Sequence, residues 1–366
     1  MKRIILSVTN DLFSDPRVDK VCNTLTKMGF QVLLIGRCYK DSPKLTEKNY
    51  QTKRIHLLFK TGFLFYAEFN IRLFLYLLFQ KIDILIANDL DTLLPNVLIK
   101  KIRRIKLVYD AHEYFCGILE IQHRPCVKKI WHCIERYCFP KTDTVITVSQ
   151  SIADKYKEMY GKEVLVVRNI PVLDAMNNER KTVNDKPVII LQGNAIHKDR
   201  GGEEIIEAMP FINNATLLIV GQGDMIPYMK KRVIELNLQD RVTFIGRVSP
   251  EKLRNYTASA DLGIAFDKNV SLNHYYSLPN KLFEYIHAEV PVISSNLPER
   301  KRIIEQYEVG IVLADLSPQK VANAINGILE NKEILFKLKK NCKKAAQVLN
   351  WENEEKVIQT IYSDFI

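Results

Sequence analysis

The feature that most constrains this chain is a pattern it runs through twice. Short apolar, β-branched runs alternate with stretches of helical spacing. In the first half the runs fall at 3–8, 31–35, 82–87, 106–109, 144–148 and 164–167, with helical segments at 17–28 and 152–160 among them. In the second half they fall at 188–191, 216–220, 242–245, 262–265 and 292–294, with helices expected at 203–209, 225–236, 250–259, 279–288 and 318–330. Both halves open alike, Arg3-Ile4-Ile5-Leu6-Ser7 and Val188-Ile189-Ile190-Leu191-Gln192. Strands apolar on both faces belong in a parallel sheet covered by helices on both sides. The 366 residues suffice for two or three domains. A polar stretch at 171–186 separates the two series and reads as a linker. The pattern predicts an α/β protein of two facing doubly wound Rossmann-like domains. Ligands in such folds collect beyond the carboxyl ends of the strands, so the cleft between the domains is the expected site.

Charge is distributed unevenly. Residues 1–170 hold 28 basic and 17 acidic side chains, whereas 171–366 hold 25 of each. The whole excess of +11 thus lies in the first half, which favours an anionic surface as its partner. Seven scattered cysteines without a Cys-x-x-Cys pair fit a reducing, cytoplasmic setting better than a disulfide framework. The apolar run Ile4-Ile5-Leu6 is too short for a signal peptide. Residues 62–79 are long and apolar enough to raise the question of a membrane span, but Glu68, Asn70 and Arg72 stand near the middle. Each ionised group there costs about 3 kcal/mol, so a spanning helix is rejected. An interfacial helix and a core helix remain open.

Several motifs are absent. No P-loop occurs, and Gly221-Gln222-Gly223 lacks the third glycine of a dinucleotide fingerprint, which argues against a nicotinamide enzyme. No recognised nucleic-acid module is visible, and no nucleic acid is expected as a partner. The informative segment is Leu278-Pro279-Asn280-Lys281-Leu282-Phe283-Glu284-Tyr285-Ile286, followed by Val290-Pro291-Val292-Ile293. Pro279 suits a first helical turn, whose free N–H groups attract anions. Lys281 puts a positive charge where the helix dipole disfavours one, which hints at an anion nearby. Glu284, one turn in, is placed to accept hydrogen bonds from the vicinal hydroxyls of a ribose. Its alternative is a capping or core-rim carboxylate.

With that segment the chain resembles the family 4 (group 1) retaining glycosyltransferases of the GT-B fold, in particular those of bacterial polysaccharide biosynthesis. Asp15-Pro16-Arg17-Val18, Asn88-Asp89-Leu90-Asp91-Thr92, Tyr109-Asp110-Ala111-His112-Glu113 and Arg200-Gly201 add to the likeness, which covers essentially the whole chain. The resemblance implies transfer of a sugar from a nucleotide-diphosphate donor to a glycan or polyisoprenoid-linked acceptor. It further implies an acceptor-side domain at 1–170, a nucleotide-sugar-binding domain at 187–345, and a helix at 346–366 that returns to the first domain. Glu284 matches the second Glu of the family's Glu-x7-Glu pair, while Tyr276 stands where the first is expected. The donor-binding set so implied is Glu284, Tyr276, Gly193, Pro279, Asn280, Lys281, Gly223 and Arg247. Lys198 and Arg200 would stabilise the departing diphosphate, and His112 would approach the donor sugar. Arg17, Asp89 and Glu113 are candidates on the acceptor side. No cofactor or metal is expected, because side chains supply the cations.

Two other functions fit the same residues: a sugar-nucleotide epimerase of the same fold, or a non-catalytic nucleotide-sugar-binding subunit, suggested by Tyr276. The group His112, Cys116, His123, Cys126, His132, Cys133 and Cys138 matches no standard zinc spacing. The basic run from Lys100 to Lys106, with the aromatic 62–79 segment, predicts peripheral attachment to the inner face of an anionic membrane.

Overall fold

The computed structural model describes residues 1–13, 15–173, 186–193, 195–363 and 365. The chain divides into two compact units, one of Met1–Asn169 with Glu354–Ile366 and the other of Ile170–Asn353. Most of the expected linker, 174–185, lies outside the described residues.

The first unit is built on seven strands: β1 (Arg3–Ser7), β2 (Gln31–Cys38), β3 (Gln51–His56), β4 (Ile84–Asn88), β5 (Lys106–Ala111), β6 (Thr144–Thr147) and β7 (Leu165–Val166). Their order is β3-β2-β1-β4-β5-β6-β7, and every pairing is parallel. The second unit has six: β8 (Val188–Gly193), β9 (Thr216–Gly221), β10 (Val242–Gly246), β11 (Leu262–Ala265), β12 (Val292–Ser295) and β13 (Gly310–Leu313). These run in the order β10-β9-β8-β11-β12-β13, again all parallel. In each sheet the order reverses beside the first strand, at β1/β4 and at β8/β11. Those switch points are where doubly wound sheets leave room for ligands.

The apolar runs are central because both of their faces are covered. Ile4, Ile5 and Leu6 of β1 and Ile189, Ile190 and Leu191 of β8 are fully buried. Burial contributes about 1.5–3 kcal/mol for each such side chain. In the second unit the ring of Tyr285 lies under Gly263 of β11, where a Cβ would stand 2.5 Å from it. That contact seats the helix Asn280–His287 against the sheet.

The final helix, Trp351–Ser363, belongs to both units. The expected division at 345/346 falls instead between Asn353 and Glu354. The reason is local. Trp351 N–H donates to the Pro171 carbonyl within the second unit, whereas the buried Glu354 accepts from Arg168 N and Nε, at 2.7 and 2.8 Å, within the first. Thr24 adds a hydrogen bond to Glu355 at 2.9 Å.

Two surface expectations change. The helix Gly62–Leu78 buries Phe65, Phe69, Leu73 and Leu77 on one face but exposes Phe63, Leu64, Ile71, Leu75 and the adjoining Phe79. It is half core and half apolar surface. Among the described residues no helix is long and apolar enough to cross a membrane. The basic run 100–106 is not one face. It spans the end of the helix Leu90–Arg103, a left-handed cap at Arg104 and the start of β5. Lys100 pairs with Asp143 at 2.7 Å, and Arg103 binds the carbonyls of Leu78 and Gln80. Lys101, Arg104 and Lys106 remain exposed.

Candidate functional site

One charged cluster lies beyond β8 and β11 in the second unit and another beyond β4 and β5 in the first, and the two differ in kind.

In the second unit the loop after β8 and the segment after β11 supply the groups. The loop is packed backbone to backbone on the turn after β9. A Cβ at Gly223 would stand 2.1 Å from the Ile196 carbonyl, and Ile196 N–H donates to Gln222 O at 2.8 Å. Gly221 and Gly223 therefore make a loop-to-loop contact that fixes the loop after Gly193. Arg200 leads into Gly201, which has φ +87° and lies so close to Phe266 that a side chain would collide. This close approach brings Arg200 Nε to 3.7 Å from Asp267, just past the end of β11.

Asp267 is buried and forms a close ion pair with the fully buried Arg300. Arg300 is fixed in turn by the Ala265 carbonyl at 3.1 Å and by the Ser277 and Ser295 hydroxyls at 2.9 and 3.3 Å. Lys281 is the third cation near Asp267. Burial pushes its pKa down; the Asp267 charge opposes this, Arg300 and Arg200 reinforce it, and the result is about 8. One carboxylate thus faces three cations, and the local excess is positive. Glu284 stands on the same helix as Lys281 and accepts from Gln192 Nε2 at 2.5 Å. Gln192 is held by the Thr257 hydroxyl at 2.7 Å. The end of β8 thereby fixes the carboxylate.

Pro279 is the residue before the helix rather than within its first turn, with φ −74° and ψ 140°, and Asn280 is the first helical residue. The extended backbone there ends the preceding turn. Lys198 and Arg247 are exposed near the ends of β8 and β10, and Tyr276 closes the short helix Leu272–Tyr276.

In the first unit the cluster lies beyond β4 and β5. His112 N–H donates to Asp89 Oδ1 at 2.8 Å. Its ring nitrogens stand 3.5 Å from Asp89 and 3.6 Å from Asp110. Burial alone would lower the His112 pKa, but the two carboxylates outweigh it and raise it to about 9, so the ring is a cation at neutral pH. Burial would likewise raise Asp110, yet Arg17 and His112 hold it well below the usual range. Asp91, also buried, is pushed up to about 8 by burial and by the Asp89 charge. Asp89 itself has φ 59° and ψ 167°, a region that side chains rarely occupy and that costs about 1–3 kcal/mol. Its carboxylate is the group that meets His112, and those contacts offset the strain.

The structure places Arg17 inside rather than at the surface. It is 3% exposed and binds Asp110 and the Val167 carbonyl, both at 2.6 Å. Its charge serves Asp110. Glu113 is half-buried directly after His112. The second-unit cluster brings Arg200, Lys281 and Glu284 together around Asp267, Arg300 and Gln192, three residues that the sequence did not single out.

Solved structures define the class. A sucrose-phosphate synthase from Thermosynechococcus elongatus matches with a TM-score of 0.79 at 20% identity, over 100% of this chain and 99% of that one. The Anabaena protein HepE in complex with UDP-glucose gives 0.78 at 15% identity over the full length of both. The fold is that of the GT-B glycosyltransferases. Residues 17–170 match the family model described as Glycosyltransferase Family 4, and residues 175–348 the model for Glycosyl transferases group 1. The chain belongs to this glycosyltransferase family. An uncharacterized glycosyltransferase of Methanocaldococcus jannaschii is 25% identical over 361 residues, which span 92% of this chain and 90% of that protein.

Proposed function

We propose that this glycosyltransferase takes a sugar from a nucleotide-diphosphate donor and passes it, with retention of configuration, to a glycan or polyisoprenoid-linked acceptor in cell-surface polysaccharide synthesis. The observation that carries this reading is the charge imbalance at β8/β11. Arg200, Lys281 and Arg300 surround Asp267, with Glu284 the only other carboxylate acting on Lys281, whose pKa is lowered to about 8. A diphosphate is the anion that would balance such a group. Glu284, fixed by Gln192, is suited to accept the two ribose hydroxyls. The bound UDP-glucose in HepE agrees with this class of donor.

On this reading the bond from the anomeric carbon to the diphosphate oxygen breaks, and charge accumulates on the leaving group. Arg200 and Lys281, with Lys198 from the same loop as Arg200, stabilise that charge, each contributing about 3 kcal/mol if fully engaged. His112, as a charged donor held by Asp89 and Asp110, hydrogen-bonds a substrate hydroxyl. Side-chain cations carry the leaving group, so transfer needs no added Mg²⁺ or Mn²⁺.

The acceptor would be met at a membrane. The exposed stripe Leu64, Ile71, Leu75 and Phe79 has basic neighbours in the same unit at Lys101, Arg104 and Lys106. This unit holds 29 basic and 20 acidic residues. That combination favours reversible attachment to an anionic, cytoplasmic leaflet.

The test is calorimetry with free nucleoside diphosphates in buffers of different ionisation enthalpy. A diphosphate beside Lys281 raises its pKa, so binding at pH 8, where the free diphosphate is already fully ionised, takes up about half a proton. Lys281→Met abolishes the uptake. Binding with no proton uptake at pH 8 would place the diphosphate elsewhere. Product analysis with and without acceptor, read for anomeric configuration, separates transfer from epimerisation and retention from inversion.

A further inference from the structure

The first unit holds a second group of chemically active side chains, apart from the His112 cluster. Cys116 stands in the short turn Phe115–Gly117, and His132 and Glu135 stand on the helix Pro125–Cys138. The spacing of three puts the last two on one helix face. The sulfur, an imidazole nitrogen and a carboxylate oxygen all lie within 4.8 Å of one another. Cys116 and Glu135 are buried, at 1% and 0% exposure, while His132 is half-buried on the open side.

Two features of Glu135 are unusual for a core residue. Its Oε1 accepts from the Tyr160 hydroxyl at 2.6 Å, but its Oε2, equally buried, makes no hydrogen bond. A buried carboxylate oxygen without a partner is costly. The group beside it is the Cys116 thiol, buried as well. Both groups lie out of water, with the His132 ring on the open side.

The surroundings hold Cys116 and Glu135 in place. Gln122 Nε2 donates to the Cys116 carbonyl at 3.1 Å, and Lys128 on the ligand helix holds Gln122 at 2.8 Å. The rings of Phe115 and Trp131, each adjacent to a donor residue, meet edge to face at 4.8 Å. Tyr160 orients the carboxylate from behind. Outer contacts of this kind fix donor geometry in metal sites.

We propose that Cys116, His132 and Glu135 form a site for a divalent transition ion, best suited to Zn²⁺, with water as fourth ligand. A thiolate, an imidazole and a carboxylate make a borderline donor set that suits zinc and excludes Mg²⁺ and Ca²⁺, which take oxygen donors. Binding forms a zinc–sulfur bond and releases the thiol proton to solvent. The two anionic donors then balance the ion's charge, which accounts for two buried acids at one place. The third ligand being a glutamate explains why Cys and His spacings alone showed no zinc pattern. The site stands apart from sugar transfer; it ties the 115–117 turn to the helix behind it.

The test uses the full chain, dialysed against a chelator and then titrated with Co²⁺ alone. One equivalent of Co²⁺ should produce a thiolate-to-cobalt charge-transfer band together with the visible bands of tetrahedral cobalt, and Zn²⁺ should displace both. Zinc measured by mass spectrometry after gel filtration should approach one per chain. Cys116→Ser removes the charge-transfer band, and His132→Ala weakens Zn²⁺ binding at least tenfold. The double variant of the exposed Cys126 and Cys133, both to Ser, leaves both unchanged. Because Cys116 is buried, circular dichroism accompanies its variant, and His132→Ala carries the test if that variant unfolds. Absence of the band in the wild-type chain, or a band lost with Cys126 and Cys133, overturns the proposal.

Discussion

The charged clusters of the two units arise from the same architecture and are built in opposite ways. Beyond β4 and β5, carboxylates surround one cation, His112, and raise its pKa to about 9. Beyond β8 and β11, cations surround one carboxylate, Asp267, and Lys281 loses basicity to about 8. The first cluster is closed on itself, since each charge has a partner and Arg17 is buried beneath Asp110. The second holds more positive charge than it neutralises. Repeating one fold does not repeat a chemistry: the segments that follow the strands decide whether the charges of a unit cancel or leave an excess.

The sharpest way to break this comparison is to remove the centre of the second cluster. Arg300→Ala leaves Asp267 buried without its main partner and should destabilise the second unit by about 3–5 kcal/mol. Urea unfolding monitored in each unit measures it, and a loss below about 1 kcal/mol would mean that water reaches the pair. Next come Arg200→Ala and Lys281→Met, each expected to lower kcat about 100-fold with little change in Tm. Equal losses of kcat and of stability would assign them to the scaffold instead.

The first cluster is tested by pH. His112 has a folded pKa of about 9 against an ordinary 6.5, so its contribution is complete below pH 6.5 and disappears as pH rises through 9, a loss of about 3 kcal/mol. Asp91, raised to about 8 from 3.8, also holds its proton in the folded chain and slopes the same way, from about pH 4 to pH 8. His112→Gln should flatten the upper part of the stability profile, and Asp91→Asn should raise stability above pH 8. A profile of the two variants parallel to wild type would show that neither group titrates as placed. Glu284→Ala is milder, costing about 2 kcal/mol of nucleoside diphosphate affinity through lost ribose hydrogen bonds. Smallest is the membrane term. Lys101→Gln or Arg104→Gln should each weaken co-sedimentation with anionic vesicles by about 1 kcal/mol, and the effect should fade as salt rises. Equal partitioning onto neutral lipid would remove the charge argument.

Much of the fold was readable because most buried parallel strands leave short apolar runs, although the one at β13, Gly310–Leu313, was passed over. The exceptions have physical causes. β3, Gln51–His56, is an edge strand with mostly exposed residues and so carries no apolar run. The helix Leu90–Arg103 escaped notice because polar residues occupy its buried face: Asn96 donates to Ser7 Oγ and Thr92 O, at 2.8 and 2.7 Å. Lys281 and Glu284 were named from a local pattern, and His112 from the family resemblance; the structure brings each of them into a charged cluster. Gln192, Asp267 and Arg300 were not. Their roles depend on partners far along the chain, as with Gln192 and Glu284, 92 residues apart.

The division of the final helix has a topological consequence. The first unit is discontinuous and the second is nested within it, so the chain crosses from one to the other twice, near Asn169 and near Asn353. A chain shortened at Asn353 would keep the whole nested unit but strip Arg168 of Glu354 and Thr24 of Glu355. The outer unit is thus the last to be completed as the chain is synthesised, and its closing piece arrives only after every residue of the inner one.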